Sequence, residues 1–124
     1  MSDVTERSTT ERSTMEVLED HLALAQQGDV ARDIARNFTH DCVLLTSYGV
    51  FRGHEGVRAA AELLDEQIGR TRYIYRTQLW HRELAFLEWT ADTERAWIDD
   101  GADSYWIRDG RIQVMTIHYT VHRR

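Results

Sequence analysis

Apolar residues recur along this chain with two different periods, and the switch falls near Gly69. Before it the spacing is helical. Met15, Leu18, Leu22 and Ala25 share one side of a helix that Gly28 ends as a C-cap would. Asp29 suits the N-cap of a second, short helix carrying Val30, Ile34 and Phe38. Cys42 to Thr46 reads as a short apolar strand that Ser47-Tyr48-Gly49 turns back into Val50-Phe51. Gly53 opens a third helix with a buried stripe of Val57, Ala60, Ala61, Leu64 and Ile68, and Gly69 stops it.

After Gly69 the alternation is that of strands. Residues 71–80 and 83–90 form two of them. A third runs from 95 to 99 and through a bulge at Asp100-Gly101 into 102–108, and the last spans 111–121. Helices first and antiparallel strands afterwards make an α+β domain, not a βαβ alternation. Residues 1–14 hold Ser, Thr, Arg and Glu with almost nothing apolar, so they read as a flexible tail ahead of a domain over 15–124. Four Trp and five Tyr, several of them on the strands, imply a sheet packed on both faces, one against the helices and the other against a second copy of the chain.

Composition narrows the function classes. Fifteen Lys and Arg against 21 Asp and Glu give a net charge of −6, which disfavours nucleic acid as a partner. One cysteine, Cys42, excludes an internal disulfide and reads as a small buried hydrophobe. No zinc-type Cys/His spacing occurs and the histidines are scattered, so neither a metal nor another cofactor is expected. Without a signal-like segment or a long apolar run, the expected location is the cytoplasm, away from membranes.

One carboxylate stands out. Asp103 sits early in the stretch Gly101–Ile112, among residues that alternate toward a buried face. An acid there is costly unless it is paired, hydrogen-bonded or protonated. His21 shares a helical side with Leu18 and Ala25 and so points inward. It is either a core-edge histidine satisfied by a backbone carbonyl, or it faces Asp103 across a pocket as an acid–base pair titrating near neutrality. Asp99, Asp100 and Asp109 are better explained as turn acids, and His54 with Glu55 as a cap for the third helix.

The hairpin at Asp109-Gly110 decides which later residues join Asp103. With a two-residue turn, Asp103 lies opposite Thr116 and His118 shares its face. With a three-residue loop and a bulged Gly110, Asp103 lies opposite Met115, and Ile117 and Tyr119 share its face.

Over residues 15–122 the chain resembles the nuclear-transport-factor-2-like superfamily, which includes polyketide-cyclase-like (SnoaL-like) domains and ketosteroid isomerases. The likeness rests on Gln27-Gly28-Asp29 followed by residues 38–44, on "RGHEGVR" at 52–58 after Gly49-Val50-Phe51, and on 103–112 continuing to His118-Tyr119-Thr120-Val121. It implies a cone-shaped, curved antiparallel sheet wrapped around three N-terminal helices, a cystatin-like α+β barrel, with a pocket at its open end and a homodimer joined through the sheet face. It also implies site residues. The isomerases' oxyanion-holding acid falls on Asp103, their phenol donor on His21, and their general base on Thr46, which cannot act as one. The likeness favours the second register, placing Met115, Ile117 and Tyr119 in the pocket and His118 outside. The resulting expectation is a small-molecule pocket for a mostly apolar ligand. Asp103 and His21 would do acid–base work in it, and Thr46, Met115, Ile117 and Tyr119 would line it. A non-catalytic binding or dimerisation module is the alternative.

Overall fold

The computed structural model describes residues 11–124. Ser13 opens the first described helix with a capping box: its side chain accepts from the Glu16 N–H, and the Glu16 carboxylate accepts from the Ser13 N–H. Helix α1 then runs Thr14–Gln27 and ends on Gly28 in the left-handed conformation, φ 76°. Asp29 caps α2 (Val30–Asn37) by accepting from the Arg32 N–H. Most of the expected tail lies outside the described residues. Within its last part, Arg12 is bonded to the body of the domain and Ser13 caps α1.

Phe38 turns α2 directly into strand β1 (Phe38–Thr46), and β2 (Gly49–Arg52) pairs back on it. Helix α3 follows (Gly53–Ile68), then β3 (Ile74–His81), β4 (Leu84–Asp92), β5 (Ala96–Arg108), β6 (Arg111–His118) and the two-residue β7 (His122–Arg123). His54 does not cap α3; its Nε2–H donates to the Phe38 carbonyl at 3.0 Å and its ring stacks on His40.

The strands form one curved, open sheet in the order β2-β1-β6-β5-β4-β3, with β7 beside β5. It is mixed, not wholly antiparallel, because β1 and β6 run parallel. Alternation along a strand tells which face is buried, but not the direction of a partner distant in sequence. The expected bulge in β5 is present one residue early, where Asp99 and Asp100 oppose Thr90 alone.

The β5–β6 hairpin matches neither candidate register. Asp109 and Gly110 both have positive φ (55° and 76°), and Arg108 pairs with Arg111, which is the two-residue turn. A bulge follows at Gln113, since Ile107 pairs with Ile112 but Trp106 with Val114. Asp103 therefore lies opposite Ile117, and Tyr105 opposite Met115. The faces come out as the three-residue loop would have given them, through a different device.

The concave side packs on the helices around Phe38, Leu44, Leu87, Ile98, Tyr105 and Ile112. Cys42 is buried there as a free thiol, and burial pushes its pKa up. No described helix is long and apolar enough to cross a membrane.

Candidate functional site

Between the helices and the concave sheet lies a cavity of about 620 Å³, bordered by α1, α2, α3 and strands β1 to β6. All six residues expected at the site, His21, Thr46, Asp103, Met115, Ile117 and Tyr119, line it. Much of the remaining wall is apolar or aromatic, including Leu22, Val57, Leu64, Tyr73, Tyr75 and Trp89. This explains why Ala60 and Leu64 on the stripe of α3 are only half-buried: they face the cavity, not a packed core.

Asp103 owes its surroundings to Gly101. Trp89 on β4 pairs with Gly101, and a Cβ at Gly101 would lie 2.4 Å from the indole ring. Only glycine lets the indole settle across β5, where its Nε1–H donates to Asp103 Oδ1 at 3.1 Å. The Tyr105 hydroxyl donates to Oδ2, also at 3.1 Å. Burial pushes the Asp103 carboxyl up to about 6, against the pull of Trp89, the charge of His21 and the Tyr105 bond.

His21 is buried on α1, its ring edge-on to Phe38 and Tyr105 at 5.5 Å each. Its hydrogen-bond partner is Asp33 on α2, not Asp103. Nδ1 lies 2.8 Å from Asp33 Oδ2 and 3.0 Å from Oδ1, so Nδ1–H donates to the carboxylate. Asp103 acts on His21 through its charge alone. Nε2 has no hydrogen-bond partner among the described residues, and no buried side-chain nitrogen there is left unsatisfied, so Nε2 opens to the cavity. Burial opposes the imidazolium, but the charge and hydrogen bond of Asp33, with Asp103 and Asp20 behind, outweigh it and raise the His21 pKa.

Asp33 is the residue that sequence reasoning missed, and its signal was available. Val30, Asp33, Ile34 and Asn37 fall at i, i+3, i+4 and i+7, so one helical stripe carries two polar members. Both are buried, at 6% and 0% exposure.

Thr46 spends its hydroxyl on the hairpin, donating to the Gly49 carbonyl (3.0 Å) and accepting from the Tyr48 N–H (2.9 Å). Tyr119 donates to Gln67 Oε1 at 2.6 Å, and its ring meets Tyr48 and Trp89. Burial raises the pKa of Tyr75, Tyr105 and Tyr119, so these phenols stay protonated at neutral pH. His118 is on the outer side, exposed and 3.5 Å from Asp100. No group of three or more metal-ligating side chains occurs among the described residues.

Three helices held in a curved open sheet, with an acid and a histidine in the hollow, define a cone of the nuclear-transport-factor-2-like class. Within that class the chain belongs to the SnoaL-like domain family, whose profile matches residues 18–115. Solved structures agree on the fold. A candidate ketosteroid isomerase from Kribbella flavida superposes with a TM-score of 0.72 at 11% identity, covering 86% of this chain and 77% of that one. A candidate SnoaL-like polyketide cyclase from Mesorhizobium loti gives 0.65 at 18% identity, with 87% and 100% covered. An NTF2-like protein of unknown function from Cytophaga hutchinsonii gives 0.70 at 11%, with 90% and 93% covered. No curated protein is significantly similar in sequence.

Proposed function

We propose that the chain is a cofactor-independent acid–base enzyme that binds a mostly apolar molecule in the cone and moves a proton next to its carbonyl or hydroxyl group. Isomerisation, dehydration, cyclisation and hydrolysis all fit this description, and the SnoaL-like family setting agrees with it. One observation carries the reading: a buried imidazole, fixed at Nδ1 by Asp33, offers Nε2 to a largely apolar cavity that also holds Asp103. His21 would move the proton. Asp103, titrating near 6, would stabilise the developing charge or donate as the neutral acid. Met115, Ile117 and Tyr119 would shape the space for the ligand.

The test is deuterium wash-in from D2O into a panel of cyclic enolisable ketones and β-hydroxy ketones, comparing the parent with His21→Gln. The expected loss is at least about 100-fold. Equal exchange by a folded His21→Gln protein sinks the reading.

A second reading, a binding or dimerisation module without catalysis, draws on Thr46, whose hydroxyl is committed to the hairpin where the isomerases keep a base. Both readings share a homodimer through the outer sheet face. There Leu45 pairs with Val50, Leu79 with Phe86 and Leu84 with Trp106, and Leu84 is 61% exposed. Sedimentation of Leu84→Lys against the parent tests the dimer.

A further inference from the structure

Behind the His21–Asp33 pair lies Asn37, the last residue of α2, with no exposed surface. Its Nδ2 donates to Asp33 Oδ1 at 2.9 Å and to Asp20 Oδ2 at 3.0 Å. Turning an amide end for end barely changes its shape, and turned the other way its carbonyl would face both carboxylates. Arg12 prevents this. Its Nη1 donates to Asn37 Oδ1 at 2.8 Å, and its Nη2 donates to the carbonyls of Arg36 (2.6 Å) and Gly110 (2.9 Å). The segment ahead of α1, the end of α2 and the tip of the β5–β6 hairpin thus converge on the Arg12 guanidinium.

The charges are distributed to match. Asp20 pairs with Arg36 at 2.9 Å and lies 3.6 Å from Arg12. Asp33 has only the imidazole and the Asn37 amide as side-chain partners among the described residues. Both Asp33 oxygens stand near Nδ1, so a carboxylate held by His21 alone could swing about that single contact. The bond from Asn37 pins one oxygen and directs the other at the imidazole.

We propose that Asn37, keyed by Arg12, is a positioning residue for this pair: it fixes Asp33 so that His21 keeps a proton on Nδ1 and presents Nε2 to the cavity. The inference rests on the reading of His21 as the residue that moves the proton. It gives the segment before α1 a part in ordering the site without touching a ligand.

The test is nitrogen-15 NMR of histidine-labelled full-length protein, read at a pH where His21 is neutral. In the parent, His21 shows the Nδ1–H tautomer and a slowly exchanging Nδ1 proton. Asn37→Ala speeds exchange of that proton at least about tenfold and brings in the Nε2–H tautomer, as expected from the loss of a charge-assisted hydrogen bond. Arg12→Met keeps the aliphatic stem but loses the key, and it moves both signals the same way to a smaller extent.

A folded Asn37→Ala protein that melts earlier yet keeps the parent's tautomer and exchange rate gives Asn37 a merely structural role and overturns the proposal. If Asn37→Ala does not fold, Arg12→Met decides, and unchanged signals in it overturn the proposal equally. A parent whose His21 carries its proton on Nε2 also overturns it. If the variants unlock Nδ1 as expected while deuterium wash-in is indifferent to His21→Gln, the positioning role stands and only the enzymatic reading falls.

Discussion

Asp33 on the helical wall of the cavity and Asp103 on the sheet wall are buried almost equally, at 6% and 7% exposure. Their partners differ in kind. Asp33 faces an imidazole and an amide held by a guanidinium, so its charge has a counter-ion in contact. Among the described residues Asp103 has an indole N–H and a phenol O–H as side-chain partners, with His21 acting on it at a distance, and burial raises its pKa to about 6. Depth alone therefore does not set the role of a buried acid; the charge of its donors does. The helical wall sets a carboxylate directly against an imidazole, while the sheet wall holds a group that changes charge near neutrality.

The two walls should respond to pH in separate windows. The folded pKa of His21 is raised, so its stabilisation is complete below about 6.5 and is lost as the pH climbs through the folded value. Asp33→Ala, the largest effect expected, should cost about 3–5 kcal/mol in urea unfolding at pH 6. The loss should shrink at a second, higher pH above that folded value, where His21 is neutral in the parent. An equal loss at both pH values would mean that the pair does not act through charge.

The folded pKa of Asp103 also lies above its ordinary 3.8, so folding favours its protonated form. Its penalty is absent below pH 3.8, grows between there and about 6, and is full above. Relative to the parent, Asp103→Asn should gain about 3 kcal/mol of stability between pH 3 and pH 8, the equivalent of roughly two pKa units. A flat difference across that range would show that the sheet wall is not where the charge changes.

Gly101→Ala sharpens the contrast from one side only. The new Cβ would strike the Trp89 ring, costing about 1–3 kcal/mol by thermal melting. Because the indole donates to the ionised form, its displacement should also move the carboxyl titration of Asp103 upward, measured by infrared difference spectroscopy. His21 should keep its tautomer. A disturbed His21–Asp33 bond in this variant would mean that the two walls are not independent.

Much of this was legible from residues alone. The glycines at 28 and 69 marked the helix ends, and the period change at Gly69 marked the sheet. The lone acid among inward residues of β5 led to Asp103, and helical spacing led to His21. Its partner was not found, because Asp33 sits four residues after a capping aspartate and reads like one more surface acid of a short helix. The parallel pairing of β1 with β6 was missed for a different reason: it joins strands about 70 residues apart, beyond any local period. Arg12 was assigned to the tail because a polar segment with no apolar stripe gives no sign of docking, although three side-chain hydrogen bonds tie it to the domain.

The extra residue at Gln113 has a consequence for how this sheet can change. It sets the phase of everything after it in β6, as an inserted letter sets a reading frame. Removing it would turn Val114, Thr116 and His118 toward the hollow and send Met115, Ile117 and Tyr119 outside. The lining of the cavity and the surface offered to a neighbour are thus two readings of one strand, kept apart by a single residue that touches neither Asp103 nor His21 by hydrogen bond.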